Sequence, residues 1–494
     1  MTPLRPIMLA GTGSDVGKSV LATGLCRIFL QDGYHPAPFK AQNMALNSFA
    51  TPDGLEIGRA QAVQAEACRL QPHTDMNPVL LKPNSDHTTQ VVLNGRPIGN
   101  RSAYAYFRAE GREQLRAEVC AAFDRLKARY TPIVLEGAGS ISELNLRQSD
   151  LVNMPMARYA DAAVVLVADI DRGGVFASCY GSVMLQTPED RQRICGIIVN
   201  KFRGDLRLFD DGRRLLEQVC GVPVLGVVPQ FKDIHIDEED SVALASKAMA
   251  PDSRHDGQDG QRTVIAVVLL RHISNFTDFD VLERDPRVSL FYTANPADLA
   301  EADIVVLPGT KATLDDLYHL RRSGMAAAVL QAHAAGKTIV GICGGFQMLG
   351  HTVQDPEGVE GGIPAMPGLG LLPMHTTMCA DKTTRQVEFC FQGARCRGYE
   401  IHQGQSTATE PIVMQNGCIG TYIHGCLDNA PVIDYLLKDR HQPPAPAESP
   451  EDFRQRQYDL LADHLRKYVD IPRLYDIAKN TAPGPQGHSA DDER

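Results

Sequence analysis

Short, continuously apolar runs recur along this chain, each closed by glycine or charged residues and each followed by helix-forming sequence. Residues 162–168 (Ala-Ala-Val-Val-Leu-Val-Ala) give the purest case, and residues 6–10, 132–135, 194–199 and 222–229 repeat the pattern. A strand with one wet face alternates apolar and polar side chains, so a run without alternation must be covered on both faces. Parallel strands joined by crossover helices meet that demand. The pattern therefore predicts a doubly wound α/β sheet whose ligands gather at the carboxyl ends of its strands. A second series at 263–270, 303–307 and 338–342 predicts a second doubly wound α/β unit, turning β-rich after Cys379. Between the two series, residues 251–261 are rich in Asp, Gly, Ser and His and read as an exposed linker. The expected domains are thus 1–250 and 263–440, with a linker at 251–262 and a C-terminal extension at 441–494. That extension carries a helical pattern at 453–468 and ends in a dozen residues of disordered composition. Within the first domain, 58–70 and 102–130 read as helices, with a loop at 80–83 and a short strand at 90–93 between them.

The first strand leads into Gly11-Thr12-Gly13-Ser14-Asp15-Val16-Gly17-Lys18-Ser19, and a helical pattern follows. A glycine-rich turn at the start of a helix aims backbone amides at an anion. Here Gly13 and Gly17 let the backbone approach phosphates, Lys18 reaches the terminal ones, and the Ser19 hydroxyl is positioned for Mg2+. The segment resembles a P-loop for ATP, although Thr12 stands where the common pattern has glycine. A ligand-free turn is the alternative, disfavoured by the strand before the loop, the helix after it and the Gly-Lys-Ser within it.

Gly341-Ile342-Cys343-Gly344-Gly345 follows an apolar run and precedes Phe346-Gln347-Met348-Leu349. A strand, a sharp turn and a helix would lift the Cys343 thiol clear of the sheet, at a helix N-terminus that favours the thiolate. The Gly344 amide would face a developing oxyanion. The bland reading is a buried structural cysteine. Against it stands His424, at the end of Gly420-Thr421-Tyr422-Ile423-His424-Gly425, as the base that a thiol nucleophile needs. Val305-Val306-Leu307-Pro308-Gly309-Thr310-Lys311 is a further strand and turn, and its Gly309 amide is a second candidate oxyanion donor.

Together these stretches, with Gly398-Tyr399-Glu400-Ile401-His402, resemble a class I glutamine amidotransferase domain of the branch that amidates corrinoid precursors. Most class I domains carry a glutamate two residues after the histidine, where this chain has Cys426. Members of the corrinoid branch are similar in lacking it, which leaves open what orients His424. The P-loop is spelled as in the dethiobiotin synthetase-like branch. That resemblance implies an ATP- and Mg2+-dependent synthetase domain in which Glu136, at the end of Ile133-Val134-Leu135-Glu136, joins Ser19 at the metal. A capping or ion-paired glutamate is the alternative. An aspartate that helps hold the metal in that family has no clear counterpart; Asp53 and Glu56 stand nearby without a fixed register. Asn200, after the strand at 194–199, looks like the adenine-reading residue of related enzymes. Lys40, Gln42 and Asn43 fall in a segment that faces nucleotide and acid substrate in the resembled branch, although a solvated lysine beside a strand is common. Asp171 and Arg172, in Asp169-Ile170-Asp171-Arg172-Gly173-Gly174, are candidate substrate contacts that could equally pair with each other.

The resemblance covers about 5–475. It implies amidation of corrinoid carboxylates with glutamine as nitrogen donor and ATP as co-substrate, and favours the four-amide enzyme of the branch over the two-amide one. A regulatory P-loop ATPase with an inactive amidotransferase domain is the reading from another class; it would leave Cys343 and His424 idle. A net charge of -11, with no basic stripe, argues against nucleic acid as a partner. The twelve cysteines include no Cys-x-x-Cys pair, so reduced thiols in a cytoplasmic protein are expected. No apolar run is long enough to span a membrane and no signal peptide is recognisable, and a homo-oligomer is compatible with everything above.

Overall fold

The computed structural model describes residues 3–83, 88–102, 104, 106, 112–237, 262–438 and 448–479. The linker expected at 251–261 and the expected disordered tail lie outside the described residues.

The first sheet has six strands in the order Val224–Pro229, Ile194–Phe202, Ala163–Asp169, Ile7–Gly11, Ile133–Glu136, Ala37–Phe39. Every pairing in it is parallel. The registers align the strand ends: Gly11 lies opposite Val167, Leu9 opposite Glu136, and Asp169 opposite Asn200. One edge therefore collects the P-loop, Glu136, the 169–174 turn and Asn200, because parallel strands all finish on the same side. Helix Lys18–Gln31 leaves the P-loop after Gly17, whose φ of 95° is a backbone state that glycine adopts without strain.

In the stretch read as loop, strand and helix, the strand at 90–93 is found within Thr88–Leu93, but 80–83 is strand instead of loop and a further strand precedes the helix. Val79–Pro83, Thr88–Leu93 and Arg96–Ser102 form an antiparallel meander, extended in parallel by Gln42–Met44; Tyr104 and Tyr106 are already helical, and helix Arg112–Lys127 follows. The cause is the Asn94-Gly95 pair, with φ of 46° and 80°, a two-residue hairpin turn that sends the chain back as a strand.

The second sheet runs Val288–Thr293, Thr263–Val268, Ile304–Leu307, Thr338–Ile342, Cys418–Thr421, Ile412–Gln415, parallel except for the last pair. Beside it a long antiparallel ribbon, His375–Phe391 with Ala394–Ser406, breaks register between Met378 and Thr383, and that bulge carries Lys382. Such an irregularity re-aims side chains that a regular ladder would send outward.

Helix Pro450–Tyr468 returns to the first domain instead of standing apart. Its Tyr458, Leu461 and Leu465 share one core with Leu21, Leu25 and Phe29 of the P-loop helix. Gly24 lies so close to Leu461 and Leu465 that a side chain there would clash, and Asp459 pairs with buried Arg27 at 2.7 Å. The two domains meet through the hairpin Ser48–Ala50 and Glu56–Gly58. Ser48 N donates to Asn275 Oδ1 at 2.9 Å, Asn275 N donates to Asn47 Oδ1 at 2.6 Å, and the Tyr399 hydroxyl donates to Ser48 O. Among the described residues no helix is long and apolar enough to cross a membrane.

Candidate active site

At the edge of the first sheet lies a cavity of about 1070 Å³. Gly17, Lys18, Ser19, Lys40, Gln42 and Asn43 line it, as do Glu136, Asp171 and Arg172. Lys18 Nζ donates to the carbonyls of Gly13 and Gly139 at 2.9 and 3.1 Å, which holds its ammonium across the loop mouth. Glu136 is the hub. Its carboxylate accepts from Ser19 Oγ at 2.8 Å, Lys40 Nζ at 2.7 Å and Gln64 Nε2 at 2.7 Å. Burial pushes that carboxyl up, but Lys40 with the Gln64 and Ser19 hydrogen bonds outweighs it and holds the group below its ordinary value. Glu136 therefore stays ionised at neutral pH. With Ser19 it offers oxygen donors only, a set that fits a hard divalent ion such as Mg2+.

Asn200 Nδ2 donates to the Val16 carbonyl at 2.9 Å and packs against Gly17, so in this arrangement it braces the P-loop. Asp171 and Arg172 do not pair with each other. Arg172 reaches Asp15 at 3.2 Å and Asp169 at 3.6 Å, while Asp171 pairs with Arg203 at 2.8 Å. Gln42 Oε1 accepts from the Tyr106 hydroxyl, and Asn43 Nδ2 donates to Gln61 Oε1. Glu56, left without a register by the sequence, is at the domain contact and away from the P-loop: Lys82 reaches it at 2.7 Å and Lys382 pairs with its other oxygen.

The second site is a small pocket at that contact. Strand Thr338–Ile342 delivers Cys343 at φ 53° and ψ -110°, a left-handed conformation that costs a non-glycine residue about 1–3 kcal/mol. Its neighbours permit the turn. A Cβ on Gly345 would lie 2.0 Å from Leu307 O, and one on Gly341 would lie 2.8 Å from Phe346 N. The same close packing sets Gly344, next to Cys343 in the chain, against the Thr310 amide, and Gly309 beside the His424 ring.

His424 is buried, stacks on Tyr399 with ring centroids 5.4 Å apart, and lines the same pocket as the Cys343 thiol, which donates to Ile401 O at 3.5 Å. The question left by Cys426 is answered by Asp278. Its Oδ2 lies 2.7 Å from His424 Nδ1, and its Oδ1 accepts from Gly425 N at 2.9 Å. Asp278 belongs to the turn Phe276–Phe279, which starts at Asn275 with φ 53°. Burial works against an imidazolium, yet Asp278 and Cys343 push His424 up to about 10. A protonated imidazole backed by the Asp278 carboxylate, beside a thiol nucleophile, is thus the arrangement that this geometry favours. Sequence reading missed Asp278, although the segment carrying it was visible, because two aspartates, Asp278 and Asp280, stand there and only the turn selects between them.

Comparison with known proteins follows the same division. Residues 7–242 match the model of the CobQ/CobB/MinD/ParA nucleotide binding domain, and residues 264–432 match the CobB/CobQ-like glutamine amidotransferase domain. A cobyric acid synthase from Phocaeicola vulgatus is 62% identical over 495 residues, spanning 96% of this chain and 98% of the relative. Another from Syntrophobacter fumaroxidans is 49% identical over 507 residues (95% and 98%), and one from Salmonella typhimurium 46% over 509 (96% and 98%). With both domains matched in order and nearly the full length aligned, the chain belongs to the cobyric acid synthase family.

Proposed function

We propose that this chain amidates the b, d, e and g carboxylates of adenosylcobyrinic acid a,c-diamide, one after another, using glutamine and ATP. The pairing of sites has a chemical logic. A carboxylate does not react with ammonia at neutral pH, and free ammonia is mostly protonated there. Each domain removes one obstacle.

At the P-loop, a substrate carboxylate oxygen attacks the γ-phosphorus of ATP, ADP leaves, and an acyl phosphate remains. Lys18 and the loop amides carry the charge that moves onto the phosphoryl oxygens. The Ser19 hydroxyl and the Glu136 carboxylate would hold Mg2+, which would neutralise phosphate charge when bound. Lys40, Gln42 and Asn43, with Asp171 and Arg172, border the space left for the acid, and Asn200 supports the nucleotide side.

At the second pocket, the Cys343 thiolate attacks the side-chain carbonyl carbon of glutamine while the Gly309 and Gly344 amides receive the oxyanion. His424 gives its proton to the departing nitrogen, ammonia leaves, and water then hydrolyses the thioester to glutamate. Ammonia displaces phosphate from the acyl phosphate and forms the amide. The observation that carries this reading is the Asp278–His424–Cys343 line, since a merely structural cysteine needs neither partner.

Ammonia must cross between the sites unprotonated, and an internal passage would keep it so. Buried polar groups support such a route. The Glu56, Lys82 and Lys382 cluster stands at the second pocket. Further in, Gln61 Nε2 and Gln64 Oε1 are buried without hydrogen-bond partners among the described residues, one a donor and one an acceptor, on the helix that reaches Glu136. A small neutral molecule that both donates and accepts would satisfy them in passing.

Mass spectrometry of the corrinoid incubated with enzyme, ATP, Mg2+ and amide-labelled glutamine tests the function. Four labelled amides are expected. With Cys343→Ala they vanish on glutamine and return on ammonium. An unchanged corrinoid mass with glutamine still consumed would refute the substrate, and dilution of the label by external ammonium would refute the passage.

A further inference from the structure

Glutamine brings more than a side-chain amide into the Cys343 pocket. Its α-carbon carries an ammonium and a carboxylate, and both must be desolvated there. The pocket contains five charged side chains besides the Cys343–His424 pair or places them at its rim: Lys82, Lys382, Glu56, Lys311 and Glu360. Three of these satisfy one another. Glu56 is fully buried, and its two oxygens are taken by Lys82 and Lys382.

Lys311 and Glu360 remain, and each is incompletely matched. Lys311 is 8% exposed, donates to Gln403 Oε1 at 2.9 Å, and has no carboxylate within ion-pair distance among the described residues. Glu360 accepts from Thr313 N at 2.7 Å and lies within 3.5 Å of Thr313 Oγ1, with no cation paired to it among the described residues. The two feel each other's charge without touching. Burial pushes Lys311 down to about 8 and Glu360 up to about 7, which is the mark of charges short of their complement. A cation and an anion, near but unbridged and facing one pocket with the nucleophile, are the complement of a zwitterion.

Thr313 ties this pair to the nucleophile's helix. Its hydroxyl donates to Gln347 Oε1 at 2.9 Å, four residues beyond Cys343. Glu360 is thus held by the first turn of helix Thr313–Arg322, where a carboxylate is welcome on structural grounds alone. The short contact, from Thr313 N, uses Oε2 alone, and an amide oxygen would serve it equally; Oε1 has only the 3.5 Å approach of Thr313 Oγ1.

We propose that Glu360 receives the α-ammonium and Lys311 the α-carboxylate of glutamine, which makes them the specificity-determining residues of the second site; this rests on the reading of Cys343 and His424 as a glutaminase. Neither residue touches the reacting carbon. They fix the distance at which the side-chain amide meets the thiolate.

Two truncated amides separate the roles: 4-carbamoylbutanoate, which lacks the α-ammonium, and 4-aminobutanamide, which lacks the α-carboxylate. Ammonia release is measured for each with the full-length enzyme, alongside ammonium-driven amidation as a check on folding. The unsubstituted enzyme is expected to favour glutamine over either analogue by about a hundredfold in kcat/KM, because each analogue leaves a buried charge unmet. Glu360→Gln keeps the cap on Thr313; it should lose about a hundredfold on glutamine, mainly in KM, and change only a few-fold on 4-carbamoylbutanoate. Lys311→Met should lose on glutamine and on 4-carbamoylbutanoate while sparing 4-aminobutanamide. Equal losses on all three amides, or intact preference for glutamine in both variants, would overturn the clamp and leave the glutaminase standing. No ammonia release from any amide by the unsubstituted enzyme would overturn the glutaminase reading and the clamp with it.

Discussion

Replacing Asp278 by asparagine isolates the charge behind His424 from the geometry that holds it. Asparagine is nearly isosteric, and its side-chain oxygen can still accept from Gly425 N, as Asp278 Oδ1 does at 2.9 Å. What disappears is the negative charge 2.7 Å from His424 Nδ1. Raising the imidazole from 6.5 to about 10 against full burial corresponds to roughly 5 kcal/mol of net preference for the imidazolium. Asp278 and Cys343 supply it between them. Without Asp278 the burial remains, so the imidazole falls back toward or below its ordinary value and gives up its proton. Glutaminase kcat should drop by about a thousandfold, on the scale seen when a buried carboxylate behind a catalytic histidine is made neutral. The pH profile gives the sign. With Asp278 present, His424 keeps its proton until the pH climbs toward about 10, so activity that depends on the imidazolium persists into alkaline solution and fails only there. In Asp278→Asn that alkaline limb should move down by several pH units. Ammonium-driven amidation bypasses the pocket and should be unchanged. A variant that keeps glutaminase activity within a few-fold, with the same alkaline limb, would refute the reasoning and make Asp278 a structural cap on Gly425.

Other substitutions separate the two sites and their junction. Lys18→Ala should cut amidation by about a hundredfold or more with either glutamine or ammonium, while glutamine hydrolysis measured alone continues. Equal loss of both would mean that the sites cannot be separated. Glu56→Gln leaves Lys82 and Lys382 facing each other across a buried contact, and urea unfolding should register a loss of about 3–5 kcal/mol. In the folded fraction, more ammonia should escape per amide formed; an unchanged ratio would remove that cluster from the passage. Gly345→Ala would force a methyl group to 2.0 Å from the Leu307 carbonyl, on a strand with no freedom to retreat. It should lose Cys343 reactivity toward a thiol-directed electrophile together with at least about 3 kcal/mol of stability.

How much of this was readable beforehand follows from how local each signal is. The Gly-Lys-Ser loop and the Gly-Ile-Cys-Gly-Gly elbow each place a strand, a turn and a helix within about a dozen residues, so sequence order and spatial order coincide. The apolar runs foretold both sheets for a similar reason, since burial on two faces leaves no polar residue to hide the strand. Of the meander after Val79 only the strand at 90–93 was legible; Val79–Pro83 and Arg96–Ser102 are mixed in character, and the Asn94-Gly95 turn that starts the last strand carries its signal in two residues alone.

The groups that escaped notice at the second site share another property: their partners are remote in sequence. Asp278 and His424 are 146 residues apart, and Glu56 and Lys382 are 326 apart. Taken singly, each looks like an ordinary surface charge. Asp278 becomes an orienting carboxylate only because Asn275 adopts a left-handed conformation and starts the turn that carries it, and Asn275 is itself bonded to Asn47 and Ser48 of the other domain. Lys382 turns inward only because the ribbon slips register beside it. The amidotransferase pocket is therefore finished by contacts from the nucleotide-binding domain: the Asn47 side chain and the Ser48 amide set the turn behind His424, and Glu56 neutralises the lysine cluster at the pocket's rim. This arrangement gives the two chemistries a mechanical reason to sit in one chain. Separated from residues 47–58, the second domain would keep Cys343 and lose the contacts that hold Asn275 and balance Lys382. Its hydrolysis of glutamine should then be weak even with every reacting residue present.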